Sequence, residues 1–226
     1  MQEKIIVNNF EQFTDEKIDH ARGVKAAQLA LDLGKTAMFF SRIDRVPRYA
    51  DGERENDVEH SYMLALVAPE IAAALELPYD IGLVAQFGLV HDLIELQTGD
   101  TATFLFDENL QLEKEDTEKQ AMSALMGILP AHTANMLLRY EGQAEPEARF
   151  VRYIDKLLPV VVDIIGAGEK VMREDYGVTS LEALQQCHEK LHTRLVAKFD
   201  GEFPEIDIAH QLLCELFETT FDSRLT

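Results

Sequence analysis

Residues 81–95 read IGLVAQFGLVHDLIE, an apolar stretch that runs directly into a histidine and an aspartate. Its apolar side chains recur at the three- and four-residue spacing of an α-helix that buries one face. A carboxylate at the end of such a buried helix is costly unless a cation neutralises it. We therefore interpret His91 and Asp92 as candidate metal ligands at the end of a core helix.

The same helical spacing extends along almost the whole chain, and apolar-polar alternation over a strand length is hard to find. This pattern predicts an all-α protein. Helices are predicted over residues 15–41, 57–76, 80–96, 112–128, 130–140, 146–174, 179–199 and 206–222. Residues 43–56 are predicted to be an irregular loop, and Pro159 is expected to kink or split its helix because proline removes a backbone donor.

Composition favours a single globular domain. The 226 residues are 46% hydrophobic and 27% charged, which is close to the average of globular proteins. Neither an internal repeat nor a Ser/Gly/Pro-rich linker divides the sequence. We expect one helical bundle over residues 1–226, with a motif-bearing core at about 25–170 on which C-terminal helices at 179–222 pack.

The charge balance limits the partners. With 41 acidic and 21 basic residues the formal net charge is -20, which disfavours long nucleic acids and anionic membranes. A small phosphorylated substrate remains compatible with this negative charge, because a metal ion and an arginine can make the electrostatic potential positive inside a pocket. The absence of a bilayer-length apolar run and of a signal peptide predicts a cytoplasmic protein. Cys187 and Cys214 are interpreted as buried thiols in a reducing compartment.

Four side chains of the types that bind metals occur in order: His60 in VEHS, His91 and Asp92 in LVHDLIE, and Asp155 in RYIDK. Two imidazoles and two carboxylates form a mixed nitrogen and oxygen set. This set predicts one divalent ion (Mn, Co, Fe, Ni, Zn or Mg) with positions left for water and substrate. Such an open site is typical of a catalytic metal.

Glu95 is the candidate catalytic carboxylate. It follows His91 by four residues and Asp92 by three, so on a helix it projects from the same face. There it can orient a water and take its proton, while the metal lowers the pKa of that water. Asp100 follows the helix end at Gly99 and is expected at the rim of the site, within reach of a substrate.

The segments RVPRYADGERENDVEHS, LVHDLIELQTGD and EPEARFVRYIDKL resemble the HD-domain phosphohydrolase superfamily, and more narrowly its 5′-deoxynucleotidase-like branch. The resemblance covers roughly residues 25–170 and includes the extensions ENxxEHS and HDxxExxxGD. It implies a bundle of helices around one divalent metal held by His60, His91, Asp92 and Asp155. It also implies that Glu95 acts on the nucleophilic water.

The resemblance implies two substrate contacts as well: Arg45 to phosphate and Asp100 to a sugar hydroxyl. A planar guanidinium can grip a phosphate through two parallel hydrogen bonds. Three other arginines compete for this role and are interpreted as solvated loop charges: Arg42, Arg48 and Arg54. The family's tryptophan after the arginine is replaced by Val46, which leaves the base preference open. A homodimer is implied by the resemblance alone.

A literal HExxH occurs in QCHEKLHTR at residues 186–194. In a zinc peptidase, His188 and His192 would bind the metal and Glu189 would act as base. Here the helix carries the apolar stripe of an ordinary amphipathic surface helix, and no third ligand follows. We interpret the motif as a chance occurrence and keep a peptidase as a remote alternative.

The sequence thus predicts a metal-dependent phosphohydrolase. The preferred reaction is hydrolysis of a (deoxy)nucleoside 5′-monophosphate to nucleoside and phosphate by a metal-bound water that Glu95 holds. A nucleotide pyrophosphohydrolase or a guanosine tetraphosphate-type hydrolase of the same superfamily is the first alternative. A non-catalytic nucleotide-binding module with a structural metal is the second, and a metal closed by four protein ligands would favour it.

Overall fold

The structure, a computed structural model, describes residues 20–99 and 120–223. The helices before residue 143 are α1 (His20–Phe40), α2 (Asp57–Ala74), α3 (Ile81–Val90), α4 (Glu95–Thr98), α5 (residues 120–126) and α6 (Ala131–Gly142). The later helices are α7 (Pro146–Ile165), α8 (Gly168–Lys170), the π-helical turn Val171–Asp175, α9 (Leu181–Phe199) and α10 (Pro204–Ser223). Two short strands, β1 (Asp44–Arg48) and β2 (Arg54–Asn56), pair antiparallel.

The predicted all-α class is confirmed, but the prediction of an irregular loop over residues 43–56 was wrong. Asp44 pairs with Asn56 and Arg48 pairs with Arg54, with an irregularity between the two pairs. Burial does alternate along β1, but the buried positions are Arg45 and Pro47. Because neither is a typical core residue of a strand, apolar-polar alternation does not reveal this one.

The helix predicted over residues 80–96 is broken in the structure. Helix α3 ends at Val90, and residues 91–94 form a turn before α4 begins at Glu95. In this turn the amide of Leu93 donates to the carbonyl of Val90, and the amide of Glu95 donates to the carbonyl of Asp92. Hydrogen bonds between residues three apart, instead of four apart, wind the backbone more tightly than an α-helix does.

The helix predicted over residues 146–174 is also divided, but at Gly166 rather than at Pro159. Helix α7 continues through Pro159 to Ile165. A Cβ atom at position 166 would lie 2.2 Å from the carbonyl oxygen of Arg48, so only glycine lets β1 approach the end of α7 this closely. The remaining predicted helices agree within a few residues, and their parts at 15–19 and 112–119 lie outside the described residues.

The main core lies where α2, α3 and α7 meet. A Cβ atom at Gly88 would lie 2.9 Å from the backbone of Ala65, which shows how closely α3 approaches α2. Leu64, Phe87 and Ile154 come from these three helices and are fully buried. Close packing therefore holds residues from distant parts of the sequence side by side.

Helices α9 and α10 pack on the far side of α7. The ring of Phe199 stacks on that of Tyr153 with centroids 4.8 Å apart. His188 is buried between α9 and α10, and its Nδ1 lies 2.7 Å from Oε1 of Glu218. The burial of His188 agrees with the prediction that its helix is amphipathic, with one face toward the core. Among the described residues, every helix is too short or too polar to cross a bilayer.

The buried His210 makes the fold sensitive to acid. Its ring stacks on His192, with centroids 5.6 Å apart, and lies beside the thiol of Cys214. Burial, followed by the neighbouring His192 and His188, lowers the pKa of His210 to about 4. In the unfolded chain its pKa is about 6.5. The unfolded chain therefore takes up this proton first, so the contribution of His210 to stability is complete above about pH 6.5 and is lost as the pH falls toward 4.

We expect the wild-type protein to lose about 2 kcal/mol more unfolding free energy than His210→Gln between about pH 7.5 and pH 5. Urea unfolding at the two pH values measures the difference. His132→Gln, which removes an exposed histidine, serves as the control. An equal loss in the wild type and in His210→Gln would contradict the assignment.

Candidate metal centre

The start of α2 positions His60. The side chain of Asn56 accepts hydrogen bonds from the amides of Val58 and Glu59, and the carboxylate of Glu59 accepts one from the amide of Asn56. This capping box satisfies backbone donors at the helix end and defines where the helix begins. His60 follows one residue later, on the face that α2 buries against α3 and α7.

The turn after α3 positions His91 and Asp92. Nδ1 of His91 lies 2.9 Å from the carbonyl oxygen of Gly88, to which only a protonated ring nitrogen can donate. This bond selects the tautomer and leaves Nε2 to face the carboxylates. Nε2 lies 2.8 Å from Oδ2 of Asp92 and 3.6 Å from Oδ1 of Asp155.

The structure brings the four predicted metal ligands together. Nε2 of His60 lies 2.9 Å from Oδ1 of Asp155 and 4.0 Å from Oδ2 of Asp92. One ligand atom from each of His60, His91, Asp92 and Asp155 lies within 4.8 Å of all the others. Three of these residues are buried, whereas the side chain of Asp92 is 18% exposed and gives the cluster access to solvent. We refer to these four residues as the quartet.

The electrostatics of the quartet fit a bound cation. Burial alone would lower the pKa of His91, but the charges of Asp92 and Asp155 outweigh it and raise this pKa to about 10. Burial opposes ionisation of Asp155 too, yet Lys156, His60 and His91 hold its pKa well below the usual range. The quartet therefore attracts positive charge, which either a proton or a metal ion can supply.

Glu95 lies beside the quartet, next to Asp92. Carboxylate oxygens of Asp57, Asp92 and Glu95 lie within 4.8 Å of one another. The Nη1 atom of Arg45 lies 3.1 Å from Oδ1 of Asp57, 2.8 Å from Oδ2 of Asp92 and 4.0 Å from Oε2 of Glu95. Arg45 thus compensates a group of carboxylates at the edge of the quartet. Asp100 lies outside the described residues.

Two acidic residues of the centre were not predicted from the sequence. Glu55 is fully buried, and its Oε2 lies 3.5 Å from both Nδ1 of His60 and Nε of Arg45. A carboxylate behind a metal-binding histidine orients the ring. Asp57 is also fully buried, and burial raises its pKa to about 6. Both lie in ENDVEH, but acidic residues at a helix start are common, so the pattern did not single them out.

The arginines that compete with Arg45 are engaged elsewhere. Arg48 and Arg54 both bind the carboxylate of Asp175, at 2.9 Å and 2.8 Å. Arg48 is partly buried, so its interpretation as a solvated loop charge was wrong, whereas Arg54 is exposed. The guanidinium of Arg42 lies over the ring of Phe39. Val46, where the resembling family carries tryptophan, is partly buried and packs on the core beneath β1.

The HExxH motif makes no comparable cluster. Within residues 20–99 and 120–223, groups of three or more potential ligands occur only at the quartet and at the adjoining carboxylates. Nε2 of His192 lies 2.8 Å from Nε2 of Gln211, and Glu189 is exposed on α9. In this part of the chain the arrangement supports the interpretation of the motif as a chance occurrence.

An apolar pocket of about 400 Å³ lies between α1, α2, α3 and α6. Phe40, Ser61, Val90 and Met136 are among the residues that line it. None of the quartet residues lines this pocket, so it is separate from the candidate metal centre.

The chain was compared with known proteins. A family model described as HD domain matches residues 42–196. The chain is 30% identical over 129 residues to 5′-deoxynucleotidase HDDC2 of Danio rerio, and the match spans 53% of this chain and 62% of that protein. A crystal structure described as a predicted metal-dependent phosphohydrolase, from Magnetospirillum magnetotacticum MS-1, is 27% identical with a TM-score of 0.63, covering 84% of this chain and 92% of that one. Because the family model covers more than half of the residues, the chain belongs to the HD domain family.

Proposed function

We propose that the protein is a metal-dependent phosphohydrolase that converts (deoxy)nucleoside 5′-monophosphates to nucleoside and phosphate. The convergence of His60, His91, Asp92 and Asp155 next to Glu95 is the observation that carries this proposal. The names of the two relatives support it, since one is a 5′-deoxynucleotidase and the other a predicted metal-dependent phosphohydrolase.

In this proposal the quartet holds one divalent ion. The chemistry of the donors fits, because two imidazoles and two carboxylates suit Mn, Co, Fe, Ni or Zn. When bound, such an ion lowers the pKa of a coordinated water and neutralises charge on a phosphate. The bond from His91 Nδ1 to Gly88 orients the His91 ring toward the centre, and the carboxylate of Glu55 lies 3.5 Å behind Nδ1 of His60.

Glu95 is assigned the role of general base. Its carboxylate lies beside Asp92 and is mostly buried, with 14% of the side chain exposed, so few waters compete for it. It accepts a proton from the attacking water, and Arg45 compensates the negative charge that Asp57, Asp92 and Glu95 share.

As predicted from the sequence, Arg45 is proposed to contact the substrate phosphate. Its guanidinium is already within hydrogen-bonding distance of Asp92, so a phosphate bound at the quartet would lie next to it. The proposed contact of Asp100 with a sugar hydroxyl rests on the family resemblance alone.

Phosphate release from a nucleotide panel tests the function. The protein is freed of metal with a chelator and is then supplied separately with Mn, Co, Fe, Ni, Zn or Mg. Ribo- and deoxynucleoside 5′-mono-, di- and triphosphates and guanosine tetraphosphate are offered, and the products are separated by chromatography. We expect nucleoside and phosphate from deoxynucleoside 5′-monophosphates with at least one metal. Pyrophosphate release instead would favour a pyrophosphohydrolase, and no product from any compound would contradict the proposal.

A further inference from the structure

The carboxylate of Asp175 joins both strands of the β1–β2 hairpin to the π-helical turn Val171–Asp175. Its Oδ2 accepts a hydrogen bond from Nε of Arg48 at 3.2 Å. Its Oδ1 accepts one from Nη2 of Arg48 at 3.0 Å and one from Nη2 of Arg54 at 2.8 Å. Arg48 ends β1 and Arg54 begins β2. With the side chain of Asp175 only 18% exposed, this forked, charge-assisted network is stronger than an isolated surface ion pair.

Arg54 connects this carboxylate to Arg45. Its Nη2 binds Asp175, while its Nη1 donates a hydrogen bond to the backbone carbonyl of Arg45 at 3.2 Å. The guanidinium of Arg45 is buried and lies 2.8 Å from Oδ2 of Asp92, which belongs to the quartet. Asp175 is therefore two hydrogen bonds away from the backbone of the arginine that lies next to the quartet.

The hairpin depends on contacts from outside its own two strands. An isolated two-stranded hairpin is only marginally stable in water, and the register of this one is irregular. Besides Asp175, two contacts hold it to the segment around the end of α7. The amide of Ala167 donates to the carbonyl of Arg48 at 3.0 Å, and Val46 packs on the apolar cluster that includes Val171. The position of the hairpin is thus set by the chain that follows α7.

The π-helical turn determines where the carboxylate of Asp175 lies. The amide of Tyr176 donates to the carbonyl of Val171 at 3.2 Å, across five residues instead of the four of an α-helix. The added residue changes the direction in which the side chains at the end of the turn project, and single π-helical turns are frequent at functional sites. This turn brings Asp175 to a strand residue, Arg48, that precedes it by 127 residues.

Without this carboxylate, two cations would face each other. The guanidinium groups of Arg48 and Arg54 share Asp175, so their like charges would repel once it is neutralised. One guanidinium belongs to β1 and the other to β2, so the repulsion acts to separate the strands. The hairpin carries both Arg45 and Glu55, and these two residues contact each other beside the quartet. Loss of the charge at Asp175 would therefore displace Arg45.

We infer that Asp175 is a positioning residue for the reaction. It acts through Arg54 and the backbone of Arg45, and it holds the hairpin where the Arg45 guanidinium meets a phosphate at the quartet. This inference rests on the proposed function, because the phosphate that Arg45 contacts is the phosphate of the substrate. It gives the π-helical turn a role in substrate binding.

Ligand binding without turnover tests this role. The parent protein is Glu95→Gln loaded with Mn, and Asp175→Asn is added because it keeps the shape of the side chain and removes its charge. Asp175→Glu is the conservative variant. Glu174→Gln is the matched control, since it removes an exposed carboxylate from the same turn. Each protein is titrated calorimetrically with deoxyadenosine 5′-monophosphate, with inorganic phosphate and with deoxyadenosine, and its metal content is measured separately.

We expect Asp175→Asn to raise the Kd of both phosphate ligands about tenfold and to leave the metal content and the Kd of deoxyadenosine unchanged. Asp175→Glu should bind within about threefold of the parent, and Glu174→Gln should bind as the parent does. When Arg45→Gln is already present, Asp175→Asn should cause no further loss, because two residues that act through one contact are not additive.

Unchanged phosphate affinities in Asp175→Asn, or a further tenfold loss on top of Arg45→Gln, would overturn the inference. An equal loss of deoxyadenosine binding, or a parent that binds neither phosphate ligand, would overturn it as well. If Asp175→Asn does not fold, Arg54→Gln removes the same link at a more exposed position and is judged by the same outcomes.

Wild-type hydrolysis separates this inference from the proposed function. Hydrolysis of deoxynucleoside 5′-monophosphates together with unchanged affinities in Asp175→Asn refutes the role of Asp175 alone. The expected affinities without any hydrolysis by the wild type refute the proposed function alone.

Discussion

Asp155→Asn is expected to lose the metal ion and to lower phosphate release by about a thousandfold, because the substitution removes a charged ligand worth several kcal/mol to the metal and its reaction. Oδ1 of Asp155 lies 2.9 Å from Nε2 of His60 and 3.6 Å from Nε2 of His91. Asp92 already faces the same two nitrogens, so the substitution leaves the quartet with one carboxylate instead of two. Metal content after dialysis and the rate of phosphate release measure the two losses.

Asp163→Asn is the matched control for this substitution. Asp163 is a second buried aspartate of α7, two turns beyond Asp155, and burial raises its pKa to about 7. At neutral pH an amide therefore replaces a carboxyl that is already close to half protonated. We expect this variant to keep its metal and its activity. A folded Asp155→Asn protein with a full complement of metal and the wild-type rate would refute the assignment of the quartet.

Glu95→Gln is expected to keep the metal and to lose between about a hundredfold and ten-thousandfold in kcat. The amide has nearly the shape of the carboxylate but cannot take a proton from water. Since Glu95 lies beside the quartet without belonging to it, the metal content and the KM should change little. Steady-state kinetics with deoxynucleoside 5′-monophosphates, together with metal analysis, separate the two effects.

Glu70→Gln provides the matched control, because it makes the same chemical change at an exposed position of α2. This variant should hydrolyse at the wild-type rate. If Glu95→Gln also remained within a fewfold of the wild type, Glu95 would not be the general base. If it instead lost the metal along with the activity, Glu95 would be a ligand or a support of one.

The helices could be predicted from the sequence because a helix that buries one face repeats apolar residues within a few turns. The wrong predictions of helix ends and loops fall where a tertiary contact, rather than a local pattern, sets the backbone conformation. Gly166 ends α7 because β1 approaches it, and the buried strand positions Arg45 and Pro47 carry no apolar signal. The turn after Val90 likewise interrupts a segment in which the helical spacing of apolar residues continues to Leu93 and Ile94.

The candidate site could be predicted in part. The residue types of the quartet, and the three-residue spacing from Asp92 to Glu95, are properties of short segments, and the structure places these side chains together. The buried Glu55 and Asp57 could not be distinguished from ordinary acidic residues near a helix start. Glu55 and Asp57 matter because they face His60 and Arg45, and these tertiary contacts cannot be read from the local sequence.

By itself, the sequence determined the all-α class and the set of histidine and aspartate side chains that converge in the core. Only the tertiary structure decided how the charges around that set are balanced, with Glu55, Asp57 and Asp92 around Arg45 and with Lys156 against Asp155. Helical periodicity and ligand chemistry are local, whereas the neighbours of a charge are set by the packing of α7 against α2, α3 and β1.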